Sequence, residues 1–292
     1  MKTLLITGAD GFTGQHLIPA ATRAGWQCVP LKADLTNASA VANEVFELNP
    51  SAVIHLAAIS FVAHDDPAQI YAVNVFGTLN LLEALSQLAC KPSIVCLPSS
   101  STIYGNSPLP QISEAVPPAP NSHYGASKLV MEHLARNFSD RLPLTILRPF
   151  NYTGPGHSNQ FVIPKLVDHF SRRTSSIELG NVDVEREFND VRMVVAAYVR
   201  LLDCPSSEVG AVGLFNVCSG RPIALSSVIS SLERLTGHRM AVNVNPAFVR
   251  AHEIRSSCGD PSRLVARVGA LPSYALEETL LWMLDASEAG RA

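Results

Sequence analysis

Tyr124 and Lys128 stand four residues apart in Tyr124-Gly125-Ala126-Ser127-Lys128, a spacing that puts both side chains on one face of a helix. A phenol titrates near about 10 and is a sluggish base at neutral pH. A neighbouring ammonium favours the phenolate by about one to three pH units and makes proton exchange with a substrate oxygen feasible. More hydroxyls lie upstream in Pro98-Ser99-Ser100-Ser101-Thr102-Ile103-Tyr104-Gly105, directly after a strand-like apolar run. Open α/β sheets place ligands beyond strand carboxyl ends, where such hydroxyls could hold a substrate oxygen. A Ser/Thr turn bonded to its own backbone is the competing reading. A third stretch, Gly8-Ala9-Asp10-Gly11-Phe12-Thr13-Gly14, follows one predicted strand and opens a predicted helix. Glycines there let the backbone turn tightly and approach a pyrophosphate, while the helix N-terminus offers N–H donors and a positive dipole end.

Positioning these groups falls to alternating strands and helices. Apolar runs at 3–7, 27–31, 52–56, 93–97 and 144–147 read as strands, with helices near 12–24, 37–47, 68–90 and 123–138 between them. Near-continuous apolar strands alternating with helices predict a parallel sheet covered on both faces. After Pro149 the rhythm breaks into Gly/Pro-rich loops, with helices near 162–172, 190–202, 225–236 and 274–286. The fold class predicted is α/β: a Rossmann-type doubly wound parallel sheet with a smaller, discontinuous substrate-binding subdomain. Residues 1–150 with about 187–219 are assigned to the dinucleotide side, and about 151–186 with 220–292 to the other.

Composition excludes other classes. Charged residues are 16% of 292 and apolar residues 47%, which argues for a sizeable core and against disorder. A net charge of −3, with no basic run longer than Arg172-Arg173, gives no footprint for nucleic acid or acidic lipid. Six cysteines without a CxxC pair read as reduced core thiols. Neither a signal peptide nor an apolar stretch approaching about 18 residues is present, so a cytoplasmic enzyme is expected. The nine histidines include no HExxH or other short metal spacing, and no GxSxG elbow marks a hydrolase.

Taken with His55-Leu56-Ala57-Ala58, Asn74-Val75-Phe76-Gly77-Thr78 and Arg148-Pro149-Phe150-Asn151, these motifs resemble the extended short-chain dehydrogenase/reductases that act on nucleotide sugars. Four further features resemble the branch of GDP-mannose 4,6-dehydratases and GDP-4-keto-6-deoxy-D-mannose reductases. They are Asn151 through Gly154-Pro155-Gly156, Phe161-Val162 ahead of Lys165, Leu179-Gly180-Asn181-Val182-Asp183-Val184-Glu185-Arg186, and Arg250-Ala251-His252-Glu253 leading to Gly259-Asp260-Pro261. The resemblance implies Ser100, Tyr124 and Lys128 as the catalytic residues, Lys128 also contacting the nicotinamide ribose. It implies a cofactor site of Gly8, Gly11, Phe12, Thr13, Gly14, Lys32, Asp34, Leu35, Leu56, Ala57, Ala58, Tyr124, Lys128 and Pro149. A GDP-sugar would meet Thr102, Asn151, Val162, Lys165, Gly180, Asn181, Arg186, Arg250 and Glu253. Guanidinium forks suit a diphosphate and a carboxylate suits a ribose diol, the roles of Arg186, Arg250 and Glu253. The family pairs through helices near 68–90 and 123–138, which implies a homodimer.

One departure stands out. Where the dehydratases carry a glutamate that removes the C5 proton, two residues before Tyr104, this chain has Thr102. A neutral hydroxyl cannot be that base, and nothing aims Asp65 or Asp66 at C5. The expected reaction is therefore NAD(P)H-dependent reduction of the C4 ketone of a GDP-linked 4-keto-6-deoxy-hexose. NAD-dependent 4-epimerisation is the alternative, with a dehydratase or a non-catalytic dinucleotide sensor behind it. No carboxylate lies within Val29-Pro30-Leu31-Lys32-Ala33, and Lys32 suits a 2′-phosphate, so NADP(H) is preferred; Asp34, 20 residues past Gly14, keeps NAD(H) open.

Overall fold

The computed structural model describes residues 2–60, 66–204, 210–249 and 255–289. Strands β1 (Thr3–Thr7), β2 (Gln27–Pro30), β3 (Ala52–His55), β4 (Val95–Pro98) and β5 (Leu144–Pro149) form one parallel sheet with the strand Gly213–Val217. Its order is Gly213–Val217, β5, β4, β3, β1, β2. Alternate side chains of these apolar runs bury against opposite layers, as period two requires. Leu4, Ile6, Ile54 and Cys96 pack with helices α1 (Phe12–Arg23) and α7 (Val191–Leu202). Leu5, Val53, Val95 and Leu97 pack with α2 (Ala38–Leu48), α4 (Thr78–Gln87) and α5 (His123–Ala135). β1 has β2 on one side and β3 on the other, so the chain reverses direction there. The crevice above such a switch point is where doubly wound folds receive ligands.

Two elements differ from expectation. The helix near 68–90 is in three parts: α3 (Pro67–Tyr71), a π-helical turn Ala72–Gly77, and α4. Widening the turn lets the Asn74 side chain bridge the Ile59 backbone, accepting from its N–H at 2.8 Å and donating to its carbonyl at 3.1 Å. Such bulges cluster at functional sites. The sixth strand, Gly213–Val217, was not anticipated.

A second apolar core lies beyond the sheet. Helices α6 (Val162–Ser171), α8 (Leu225–Thr236) and α10 (Leu276–Ala289) enclose Ile163, Phe170, Val228, Leu232 and Leu280. The strand Ser176–Leu179 pairs with Ala241–Val244 on its flank. Helix α9 (Ser262–Val268) instead sends Leu264 into the sheet's own core. Between the lobes, Glu187 is 1% exposed. Its carboxylate accepts from Ser219 N at 2.7 Å, Ser219 Oγ at 3.0 Å, Asn189 Nδ2 at 3.1 Å and Gly259 N at 2.6 Å. Among the described residues no helix is long and apolar enough to cross a membrane.

Candidate active site

The glycine turn is built as its spacing requires. Gly8 takes φ +64°, and a Cβ there would meet Ala57 N at 2.7 Å; one on Gly14 would meet Ala9 O at 2.3 Å. Both positions are fixed by close backbone approach. A Cβ on Gly11 would meet only Gly8 O, at 3.2 Å, so its remaining side is open at the start of α1. No side chain caps that helix and no acid occupies its first turn, leaving the N–H groups of Phe12, Thr13 and Gly14 for an anion. Alongside runs a cavity of about 180 Å³ lined by Thr7, Gly8, Leu31, Ala33, Asp34, Leu35, Ala57 and Val73. Lys32 is exposed at its rim, and Leu56, Ala58 and Pro149 are half-buried at their strand ends. An open cradle at a helix N-terminus, with this cavity beside it at the ends of β1 and β2, fits part of a dinucleotide. A larger cavity of about 550 Å³ lies at the amino edge of the sheet, against Lys2, Ser51 and Ser93, and holds none of these groups.

Ser100 caps a 3-10 turn, Ser101–Tyr104, after β4. Its Oγ accepts from Thr102 N at 3.2 Å and Thr102 Oγ1 at 2.9 Å, and it lies near enough to the Tyr124 hydroxyl to oppose the upward shift of that phenol. With those lone pairs engaged, the Ser100 proton is the one available to an oxygen placed between Ser100 and Tyr124. Helix α5, capped by Ser122, carries Tyr124 and Lys128 on its buried side. Lys128 Nζ donates to Pro98 O at 2.8 Å, and burial, only partly opposed by Glu132, pulls its ammonium down to about 8.

The expectation that Lys128 lowers the phenol needs correcting. Burial raises Tyr124 far above its ordinary value, Tyr152 adds to this, and Ser100 is the group that opposes it. Desolvation of the phenolate outweighs the ammonium, which is held on the Pro98 carbonyl. Burial thus favours the protonated phenol, the state of a proton donor.

A buried hydrogen-bond chain sets this helix in place. Ala57 N–H donates to Thr7 Oγ1 at 3.0 Å, and Thr78 Oγ1 donates to the Asn74 carbonyl at 2.8 Å. The Thr78 proton being so used, His55 Nε2–H donates to Thr78 at 2.8 Å while Nδ1 accepts from Thr7 at 2.7 Å. His55 is thus neutral, with burial and then Lys128 pushing it down to about 3. Asn74 Nδ2 donates onward to Ser127 Oγ at 3.1 Å, and Ser127 to the Tyr124 carbonyl at 2.8 Å. A tyrosine the sequence reading passed over, Tyr152, shares a 2.7 Å bond with Thr13 Oγ1 and stacks on Phe12. Its place directly after Asn151 was the available signal.

Of the residues expected on the sugar side, Thr102 and Asn151 lie on the loops after β4 and β5. Val162 and Lys165 open α6, and Lys165 Nζ donates to Glu178 O at 2.8 Å, 5.4 Å from the Phe248 ring centroid. Gly180 packs under Phe248, where a Cβ would meet the carbonyl at 2.5 Å; Asn181 Oδ1 caps Asp183 N at 2.9 Å. Arg186 is half-buried on the short strand Glu185–Arg186, donating to the Glu185 carbonyl at 2.8 Å. Arg250, Glu253 and Asp65 lie outside the described residues, and Asp66 caps α3 through Gln69 N at 3.1 Å.

A nicotinamide-dinucleotide oxidoreductase of the extended short-chain dehydrogenase/reductase type is the class that this sheet and crevice define. The chain belongs to the family described as GDP-mannose 4,6 dehydratase, whose model matches residues 27–283. It is 33% identical to a GDP-6-deoxy-D-talose 4-dehydrogenase from Aggregatibacter actinomycetemcomitans, over 91% of each chain. Identity with a GDP-6-deoxy-D-mannose reductase from Pseudomonas aeruginosa is 34%, covering 97% of this chain and 96% of the relative. The structure of RMD from the same organism, complexed with NADPH, superposes with a TM-score of 0.88 at 32% identity, covering 99% and 98% of the two chains. A Burkholderia cenocepacia J2315 structure, designated only provisionally an epimerase, gives 0.91 at 42% identity, also covering 99% and 98%.

Proposed function

We propose that this protein reduces the C4 ketone of a GDP-linked 4-keto-6-deoxy-hexose, with Ser100 and Tyr124 on the carbonyl oxygen. The observation that carries the reading is the placing of Ser100, held by the Thr102 hydroxyl, beside the buried Tyr124. Where a dehydratase needs a carboxylate, Thr102 instead supports the group that donates to the substrate oxygen. The bound dinucleotide supplies hydride to C4. Tyr124 passes its proton to the oxygen as negative charge develops there, and Ser100 donates a second hydrogen bond to the same atom. Lys128 orients the nicotinamide ribose and supplies positive charge below the phenol. Gly8, Gly11 and Gly14 with the α1 N-terminus hold the pyrophosphate. Arg186 and Arg250 hold the sugar diphosphate, with Lys165, Gly180 and Asn181 at the nucleoside. Residues 1–150 and 187–219, joined by α9, form the dinucleotide side of the cleft, and 151–186 with the rest of 220–292 the sugar side. Exposed Phe76 and Val130 support a homodimer through the helices that carry them.

The test incubates the enzyme and reduced dinucleotide with the keto-sugar made from GDP-mannose and follows the nicotinamide absorbance. Oxidation with formation of a GDP-6-deoxy-hexose is expected. Interconversion of a C4 pair with catalytic NAD⁺ and no net oxidation would instead establish the 4-epimerase, the reading favoured by the Burkholderia structure. GDP at a hundredfold excess over its Kd should stabilise the native state by about 2.7 kcal/mol, read as a rise in Tm. An unmoved Tm would point to a dinucleotide sensor without a sugar site.

The pH profile follows from Lys128. Its charged form is lost as pH rises through about 8, whereas burial shifts Tyr124 upward, away from that range. For carbonyl reduction kcat/KM should hold between about pH 6 and 7 and decline above about 8. Lys128→Met should lower the rate and erase that inflection; an inflection that survives the substitution belongs to another group.

A further inference from the structure

The rim of the adenosine-side cavity carries a charge absent from the local sequence. Just beyond β2, the successive N–H groups of Lys32 and Ala33 both point at one carboxylate, that of Glu44 on α2, at 2.9 and 2.7 Å. Successive peptide N–H groups that converge in this way make an anion-binding nest. Here an internal anion fills it. Asp34, which lines the same cavity, has its Oδ1 held by Thr36 N at 2.9 Å and Thr36 Oγ1 at 2.8 Å. Those bonds keep its carboxyl below the usual range and ionised. Two carboxylates therefore stand at the stretch that carries the exposed Lys32. In dinucleotide folds the end of the second strand faces the 2′ position of the adenosine ribose. A 2′-phosphate arriving there would find the backbone donors taken and two like charges beside it, whereas a 2′-hydroxyl needs only an acceptor.

We infer that Glu44 is a specificity-determining residue that selects a dinucleotide with a free 2′-hydroxyl, so that NAD(H) is the hydride carrier. This reverses the preference drawn from Lys32 alone, because the deciding carboxylate comes from α2, 12 residues further along the chain. It rests on the reading that this cleft binds a nicotinamide dinucleotide.

Calorimetric titration of the full chain with NAD⁺ and with NADP⁺ tests it without any sugar substrate. NAD⁺ should bind about tenfold more tightly. Glu44→Gln should tighten NADP⁺ about tenfold and leave NAD⁺ within about threefold. The unaltered chain gives a second readout. Repulsion of the phosphate is screened by salt, so the NADP⁺/NAD⁺ ratio of Kd values should narrow as KCl rises from about 50 to about 500 mM. Equal or tighter NADP⁺ binding, a ratio that Glu44→Gln does not move, or a ratio that widens with salt overturns the assignment of Glu44. Failure of both dinucleotides to bind would instead overturn the cleft reading on which it rests.

Discussion

Tyr124→Phe should lower kcat for carbonyl reduction by about 10³-fold while leaving dinucleotide affinity within about threefold. The magnitude is that of a general acid withdrawn from the transition state. The substitution removes one oxygen from a side chain that is 9% exposed and keeps the ring that packs there. Ser100 keeps both bonds from Thr102, so the 3-10 turn after β4 should persist. Single-turnover absorbance measurements separate the chemical step from binding, and fluorescence titration gives the dinucleotide Kd. A variant with near-normal kcat would take Tyr124 out of proton transfer and leave Ser100 or a solvent path in its place. Ser100→Ala should cost less, about 10²-fold, because Tyr124 still donates.

Arg148→Met should lower the unfolding free energy by about 3–5 kcal/mol. Arg148 grips Glu132 through two bonds, Nε to Oε1 at 3.0 Å and Nη2 to Oε2 at 2.7 Å, with the two side chains 4% and 2% exposed. Its third donor reaches Tyr104 Oη at 2.9 Å, which in turn donates to Asn216 Oδ1 at 2.7 Å. Removing the guanidinium leaves a buried carboxylate without its hydrogen-bonded partner, with Lys128 the remaining cation that acts on it, and only from a distance. Adding Glu132→Leu should restore much of the loss, since replacing a whole buried pair is far cheaper than breaking it. Urea midpoints of the two variants decide the matter. A single variant within about 1 kcal/mol of the parent would mean that Glu132 finds water or takes a proton at small cost.

The sheet was legible where burial on both faces writes an unbroken apolar run, as in Leu4-Leu5-Ile6 and Ala52-Val53-Ile54. Gly213–Val217 escaped because Asn216 interrupts its apolar run, fully buried. That asparagine is tolerated only because Ile112 O and Tyr104 Oη, over a hundred residues away, satisfy its amide. The Tyr124/Lys128 spacing correctly put both side chains on one face of α5. Their electrostatics did not follow from spacing, because desolvation is set by what the fold packs around the phenol. The π turn was equally hidden: Asn74, Gly77 and Thr78 stand in a good helical pattern, and only the contact of Asn74 with Ile59 asks for the extra residue. Glu44 was missed for the same reason, since no local pattern links a helix residue to the backbone beyond β2.

Glu187 holds together segments that lie far apart in the chain. Its carboxylate ties down the turn after Gly213–Val217 and the stretch before α9, right beside the short strand that bears Arg186. Pulling these segments apart would strand a desolvated anion without its donors. The turn after Gly213–Val217 and the stretch before α9 are accordingly locked to each other, so a substitution at Glu187 would loosen two segments far apart in the chain at once.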